Sequence, residues 1–466
     1  MGLIEKRRFS REFYLTLAIV LAAAAAGAVA IWRTAQIPDS LLYIPEEAEI
    51  TPEVEMLRAY IRIDTTNPPG NEIAGARFLA QRLRRGGVEP EIIETAPGRA
   101  AVYARIRGTR PGEGLLLLNH IDVVPANAEA WTYPPFEARL ERNMIWGRGA
   151  LDMKSIAICQ LAAFLALARS AAPPERDVAF LAVPDEERGG AMGMGWILEH
   201  RPDVLEGIRY AANEGGVTET VKGEIVYFGV EVGSMQPVKL AVRAARRETL
   251  EELRIALEPL FEPDAPEEIL PQVREYFTTV APHRLRYAPL LEDIDRTIAE
   301  GRFWLLHPSY RQMTAEWLIA SGIRTEDDGR HAMTVTIVTL PGRDPDKAVA
   351  RFRERVAAYP VEIELTYRPV VAPLSSTGTP FFGAIEHAVR RHYGDVPVGP
   401  LVMVDVATDS RFLRSRGIDA YGFWPYPVDF FQTQGIHGAD ERIRVDWFQE
   451  GVELTTELVA DWALGK

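Results

Sequence analysis

Five short stretches of the chain carry side chains able to do hydrolytic or metal chemistry. His120-Ile121-Asp122 follows directly on the apolar run Leu115–Leu118. Gly147-Arg148-Gly149-Ala150-Leu151-Asp152-Met153-Lys154 is a glycine-rich turn that delivers a carboxylate just ahead of a helical pattern. Pro184-Asp185-Glu186-Glu187-Arg188-Gly189-Gly190 follows a second apolar run, Val178–Val183. Asn213-Glu214-Gly215-Gly216 and Gly435-Ile436-His437-Gly438-Ala439-Asp440-Glu441-Arg442 complete the set. Each alone has an ordinary alternative: a hydrogen-bonded surface pair, a capped tight turn or a solvated loop. The glycine-rich turn lacks the Walker spacing, which argues against a phosphate cradle. Three adjacent acids repel one another unless cations offset them. Taken together, the stretches supply two imidazoles and several carboxylates at strand ends and loops, a donor set that suits a pair of borderline-hard divalent cations. Two such ions about 3.5–4 Å apart need a shared carboxylate between them. The single cysteine, Cys159, lies in an apolar helical run and reads as core. It leaves no thiolate cage and no redox pair, so histidine and carboxylate are the ligands on offer.

Functional groups in α/β sheets gather where strands end at their carboxyl edge. The elements needed for that are visible. A helix opens at Thr51 with Pro52 in its first turn and Leu57, Tyr60 and Ile61 on one face. Ala74–Arg85 reads as a second helix closed by Gly86-Gly87, with Arg82, Arg84 and Arg85 on a solvated face. The two apolar runs, separated by the helical pattern Lys154–Ala168, indicate a largely parallel sheet covered on both faces. The texture changes near Val232 to an α+β block: helical stretches Arg246–Phe261 and Glu267–Phe277, a strand Met333–Leu340, a helix Lys347–Ala358 and a strand Val361–Tyr367. After Pro369 come a helix at Phe381–His392, an apolar run at Leu401–Val406 and a last helix capped by Asp446, with Gln449 three residues on. The aromatic residues Phe423, Trp424, Tyr426, Phe430 and Phe431 read as core. The expected fold class is α/β, a mainly parallel sheet whose texture is interrupted by this α+β block.

The chain has 466 residues, 47% apolar and 25% charged, which excludes a disordered or fibrous protein. Lys plus Arg is 52 and Asp plus Glu is 66, so the net charge is 52 − 66 = −14, against a nucleic-acid partner. Phe13–Trp32 is a run of twenty uncharged residues, at about 1.5 Å each long enough for a bilayer core of roughly 30 Å. Lys6, Arg7, Arg8 and Arg11 precede it, which places residues 1–12 in the cytoplasm and the rest outside. The expectation is one N-terminal transmembrane helix over 13–32, a linker over 33–50 and an exported folded domain at the cell membrane. The alternative is a signal peptide cleaved after Ala28-Val29-Ala30, giving a secreted or periplasmic protein.

The motifs His-x-Asp, Gly-Arg-Gly-Ala-x-Asp-Met-Lys, Asp-Glu-Glu-x-Gly-Gly, Glu before glycine and the late His-Gly-x-Asp-Glu-Arg resemble metallopeptidase family 20. That group comprises aminoacylases, carboxypeptidases and dipeptidases with two zinc ions. The intervals 152 − 120 = 32 and 214 − 187 = 27 agree, as do Asp122-Val123-Val124-Pro125 and Gly417-Ile418 to Trp424. The resemblance implies that His120 and Glu214 bind one zinc, Glu187 and His437 the other, and that Asp152 bridges them. Cobalt or manganese could stand in for zinc. Asp122 would orient the His120 ring, and Glu186 would be the general base. The implied substrate is a small peptide or an N-acyl amino acid, and the implied reaction is hydrolysis of its amide by activated water. The resemblance also implies a smaller α+β lid inserted over 232–359 into a catalytic domain over 51–231 and 360–466, the lid often being a dimerisation surface that gives a homodimer.

The chain departs from the family in that lid. The usual Gly-His-Ser-Ser-x-Pro is absent where Leu240–Arg247 stands, and Val338 replaces the arginine that grips a substrate carboxylate. His283, His307 and His331 are candidates for the missing histidine. Gly-Gly-Thr-Asp becomes Val406-Ala407-Thr408-Asp409 with Arg411 retained, so Thr408 and Arg411 are candidate substrate contacts. These losses favour an amide without a carboxylate, or a metal-retaining binding protein with weak catalysis.

Overall fold

Thr51 caps the first helix, α1 (Pro52–Ile61), by accepting a hydrogen bond from Val54 N on its hydroxyl at 3.4 Å. The helix buries Val54, Leu57, Tyr60 and Ile61, and α2 (Glu72–Arg85) follows and ends at Gly86. The computed structural model describes residues 49–221, 224–261, 264–404, 407–428 and 435–466. The apolar segment Phe13–Trp32, the linker up to residue 48, Val406, Phe430 and Phe431 lie outside them. Among the described residues no helix is long and apolar enough to cross a membrane.

The large sheet uses β1 (Glu91–Ala96), β2 (Arg99–Ile106), β3 (Arg110–His120), β6 (Arg176–Val183), β7 (Ile208–Asn213), β8 (Val217–Val221), β9 (Glu224–Ser234), β15 (Val398–Met403) and β16 (Asp419–Gly422). Their order is β1-β2-β6-β3-β7-β16-β9-β15, with β8 on β9. The middle strands β6, β3, β7 and β16 run parallel, while β1, β2 and β8 pair antiparallel. The apolar runs read from sequence are the buried halves of β3 and β6, hydrophobic without alternation because both faces are covered. One cover is α3 (Lys154–Ala168), buried on nearly every side, with Cys159 fully inside. Two short strands, β4 (Arg139–Glu141) and β5 (Met144–Trp146), form a separate three-stranded sheet with β17 (Arg442–Arg444).

The chain leaves the large sheet at Ser234 and enters a smaller one at Gln236. That sheet contains β10 (Gln236–Ala244), β11 (Trp317–Ala320), β12 (Arg324–Thr325), β13 (His331–Thr339) and β14 (Glu362–Tyr367), ordered β11-β13-β10-β14 with β12 on β13. Strand β14 begins three residues beyond Tyr359, the end expected for the inserted lid. Helices α5 (Arg247–Leu257) and α7 (Pro345–Arg355) contribute Leu250, Leu253, Leu257, Val349 and Phe352 to the core of this sheet. Between them, α6 (Pro271–Val280) packs on β15 of the large sheet. The chain then closes with α8 (Pro380–Tyr393), α9 (Ser410–Arg414) and α10 (Val445–Ala463). Asp446 does not cap α10: the helix starts after Arg444, and Asp446 sits in its first turn, paired with Arg444. Gln449 instead donates to the Glu49 carbonyl at 2.6 Å. Phe423, Trp424 and Tyr426 are buried.

Candidate metal centre and active site

Three adjacent parallel strands deliver three of the sequence motifs to one edge of the sheet. His120 is the last residue of β3, Glu186 and Glu187 follow β6, and Glu214 follows β7. The turn ahead of α3 brings Asp152, and the loop before β17 brings His437. His120 Nε2 lies 3.0 Å from Asp152 Oδ1 and 3.5 Å from Glu214 Oε2. His437 Nε2 lies 3.0 Å from Asp152 Oδ2 and 3.0 Å from Glu187 Oε2. The two oxygens of a single carboxylate thus each face a different histidine. Ligand atoms of His120, Asp152 and Glu187 lie within 4.8 Å of one another, as do those of His120, Glu186 and Glu214.

The loop carrying Glu186 and Glu187 is shaped by its backbone. Asp185 at φ +75° and Gly189 at φ +99° bracket the turn. A side chain at Gly193 would put its Cβ 1.8 Å from the Pro184 carbonyl oxygen, so only glycine lets the chain return there. Asp122 was expected to orient the His120 ring, for which its carboxylate is the obvious acceptor. The ring Nδ1 instead pairs with the Asp122 main-chain carbonyl at 2.9 Å, with the carboxylate Oδ1 at 3.6 Å. The Asp122 carboxylate accepts from the main-chain N–H groups of Glu186 (3.1 Å) and Glu187 (3.2 Å) and from Asn67 Nδ2 (2.9 Å). It fixes the acidic turn, and its carbonyl fixes the tautomer.

The electrostatics are those of crowded, poorly hydrated acids. Burial, with Glu214 beside it, lifts the Glu186 carboxyl well above its usual range. Burial lifts Glu214 to about 8 and Asp122 to about 7. Burial works the same way on Asp152, but hydrogen bonds to His120 and His437 outweigh it and hold that carboxyl well below its usual range. His437 is pushed up to about 10 by Asp152 and Glu187. Glu187 Oε1 is buried and has no hydrogen-bond partner among the described residues. Acceptors outnumber donors in this site, the condition under which cations belong there.

The two candidate substrate contacts are buried. Arg411 is buried and donates to the Ala407, Thr408 and Gly189 carbonyls at 2.7, 2.6 and 2.9 Å. Its Nη1 lies 3.8 Å from Glu186 Oε1, so it faces the acidic turn rather than an open cleft. Thr408 is buried, and its hydroxyl accepts from Ser410 N at the start of α9. The candidate replacements for the missing histidine lie on their own segments: His307 pairs with Ser309, His331 with Thr325, and His283 is exposed. Val338 is buried in β13 opposite Trp317.

Several supporting residues escape a reading by motif. Arg99 is buried between Glu72 and Asp185, bonding Asp185 Oδ1 at 2.8 Å, and Asn67 bridges Asp185 and Asp122. Their partners lie 27 to 118 residues away, so no local pattern marks them. Glu441 and Arg148 stand inside the quoted motifs and form a buried pair at 2.6 Å.

Comparison with known proteins bears on the family and the fold. The model of Peptidase family M20/M25/M40 matches residues 116–461. Aminoacylase-1 of Pongo abelii is 27% identical over 441 residues, 89% of this chain and 96% of that one. Probable carboxypeptidase S-like 2 of Dictyostelium discoideum is 24% identical over 375 residues, 74% of this chain and 71% of that one. Among solved structures, the M20 family metallo-carboxypeptidase Sso-CP2 from Sulfolobus solfataricus superposes with a TM-score of 0.67 at 17% identity, covering 89% of this chain and 99% of that one. With most of its length under the family model, the chain belongs to peptidase family M20/M25/M40 and is an enzyme of the metallo-exopeptidase and aminoacylase type.

Proposed function

We propose that the chain hydrolyses the amide of a small peptide or an N-acyl amino acid at a two-cation centre. The observation that carries this reading is Asp152, whose two oxygens lie 3.0 Å from two different histidines. A carboxylate so placed has the disposition of a bridging ligand. The donor set fits: His120 and Glu214 on one side, His437 and Glu187 on the other, nitrogen and oxygen atoms of the hardness that zinc, cobalt or manganese accepts. The unpartnered Glu187 Oε1 supports it as well. Bound there, such cations would act as Lewis acids that make water acidic and polarise an amide carbonyl.

The chain's own groups do the proton work. Glu186, adjacent to a ligand but carried on a separate side chain, takes the proton of the attacking water and passes it to the departing amine nitrogen. Arg411, 3.8 Å away, favours its ionised form against the burial that favours the neutral one. Asp122 holds the main chain of Glu186 and Glu187, so base and ligand keep a fixed relation. The second reading, an amide lacking a carboxylate, is favoured by Val338, which offers no charge where the family carries arginine. The apolar segment Phe13–Trp32 supports export of the enzyme on an uncleaved anchor.

The test is metal analysis of the full chain with an assay on dipeptides, N-acyl amino acids and uncharged amides. Two ions per chain and chelator-sensitive turnover are expected. Two ions without turnover of any amide, and no effect of Glu186→Gln, would instead identify a binding protein. Turnover confined to uncharged amides selects the second reading.

A further inference from the structure

Glu441 is fully buried, yet every donor to its carboxylate lies about 290 residues earlier in the chain. Oε1 accepts from Leu151 N at 2.7 Å and Asp152 N at 3.0 Å. Oε2 accepts from Arg148 Nη1 at 2.6 Å and Gly149 N at 3.0 Å. An ionised carboxylate offers roughly four lone-pair sites, and all are in use. The clasp extends on both sides. Gly147 N donates to the Glu441 carbonyl at 2.9 Å, and Arg148 Nη2 donates to the Gly438 carbonyl at 2.8 Å. The next acid, Asp440, accepts from Thr132 N and its hydroxyl at 2.7 and 2.8 Å. His437 and Asp440 both hold left-handed backbone, at φ +59° each. Residues other than glycine keep that conformation only where their surroundings impose it.

We propose that Glu441 is the positioning residue that sets Asp152 and His437 in one register, and so preassembles the Asp152–Glu187–His437 half of the centre for a divalent cation. This rests on the two-cation reading above. The halves differ in what holds them. His120 sits at the end of β3 with its ring pinned to the Asp122 carbonyl, and Glu214 follows β7, so neither depends on Glu441. His437 projects from a loop whose described anchors are the Gly438, Asp440 and Glu441 contacts. A glutamine at 441 would keep the shape but turn an NH2 group toward N–H donors, opening the clasp. Residues that orient metal ligands through hydrogen bonds typically change affinity 10–100-fold when lost.

The test titrates Zn2+ into the metal-free full chain by calorimetry and follows Co2+ loading by its visible spectrum. Native chain, Glu441→Gln, Glu441→Asp and His437→Ala are compared. In Glu441→Gln the second ion, which loses the register of both Asp152 and His437, weakens about 10–100-fold, and the first, which shares only Asp152, weakens less. Its Co2+ spectrum moves toward that of His437→Ala. Glu441→Asp, which keeps the charge but shortens the reach, shifts the same way and carries the test should the glutamine variant not fold. Native affinity for both ions in either folded variant, or equal weakening of both ions, overturns the inference while leaving the two-cation reading intact. A native chain that binds fewer than two ions overturns that reading, and this inference with it.

Discussion

Replacing Glu186 by glutamine separates the two parts that this side chain could play. Its oxygen lies near enough to His120 and Glu214 to serve as a ligand, and it also stands beside Glu187 where a base is needed. The substitution is isosteric, and the main-chain bonds of the turn persist: Glu186 N to Asp122, and Gly189 N to the Glu186 carbonyl at 2.8 Å. Arg411 keeps its three carbonyl partners. Folding and the position of Glu187 are therefore expected to survive, with a stability change within about 1 kcal/mol. A general base contributes about 10²–10⁴ in rate, which at about 1.36 kcal/mol per tenfold corresponds to roughly 3–5 kcal/mol of barrier. The loss should fall on kcat, with KM changed little. The pH profile adds a second readout. A base works deprotonated, so activity falls as pH drops through its pKa. Burial and Glu214 raise Glu186, placing that acid limb above the ordinary glutamate value of about 4.3. The glutamine variant should lose the limb along with the rate. The assay is steady-state hydrolysis between pH 4 and 9 on the order of the family's substrates, with metal content measured on the same samples. A variant that holds one ion fewer identifies Glu186 as a ligand and refutes its role as a base. A variant with two ions and undiminished kcat refutes the base as well, without making Glu186 a ligand.

Three further outcomes follow from the scaffold. Arg414 makes a two-pronged pair with the fully buried Glu231 at 2.8 and 2.7 Å and also bonds the Ala420 carbonyl. Arg414→Met strands that carboxylate, and denaturant titration should show about 3–5 kcal/mol of lost stability, partly restored by adding Glu231→Gln. Asp177 accepts from Gly108 N and from Arg105 and Arg107, which together outweigh burial and lower its pKa when folded. A depressed folded value stabilises above the unfolded pKa of about 3.9. Asp177→Asn should therefore lower the melting temperature near pH 7, and the gap to the native chain should close as pH falls below 4. Cys159 is buried, and burial raises its thiol well above the usual value. It should resist thiol reagents in the folded protein and react once in denaturant, so rapid labelling of the native state would contradict the placement of α3.

What could be read from sequence divides along a physical line. Helix α3 was legible to the residue because its signal is local: an apolar run opened by a glycine turn and free of breakers. The ends of β3 and β6 were legible for the same reason, and with them His120, Glu186 and Glu187. The last helix was misjudged by one such local rule. Asp446 followed by Gln449 resembles a capping box, but Arg444 already has the extended backbone of the cap and neutralises Asp446 in the first turn. Partners are the harder part. Arg411 was a candidate substrate contact because it is retained after the turn that stands for the family's Gly-Gly-Thr-Asp. Its guanidinium meets the Gly189 carbonyl, 222 residues away, a group with no identity in sequence. Asp122 was expected to accept from the His120 ring, and it does so through its main-chain carbonyl, which leaves its carboxylate to tie down the turn after β6. In each case the residue was legible and the atoms it would bond were not. A carboxylate announces its charge in the sequence, but which of several buried donors it meets is decided by strands brought side by side. Glu441 is the extreme instance: it lies within a motif, yet everything it does happens at a turn on the other side of the sequence.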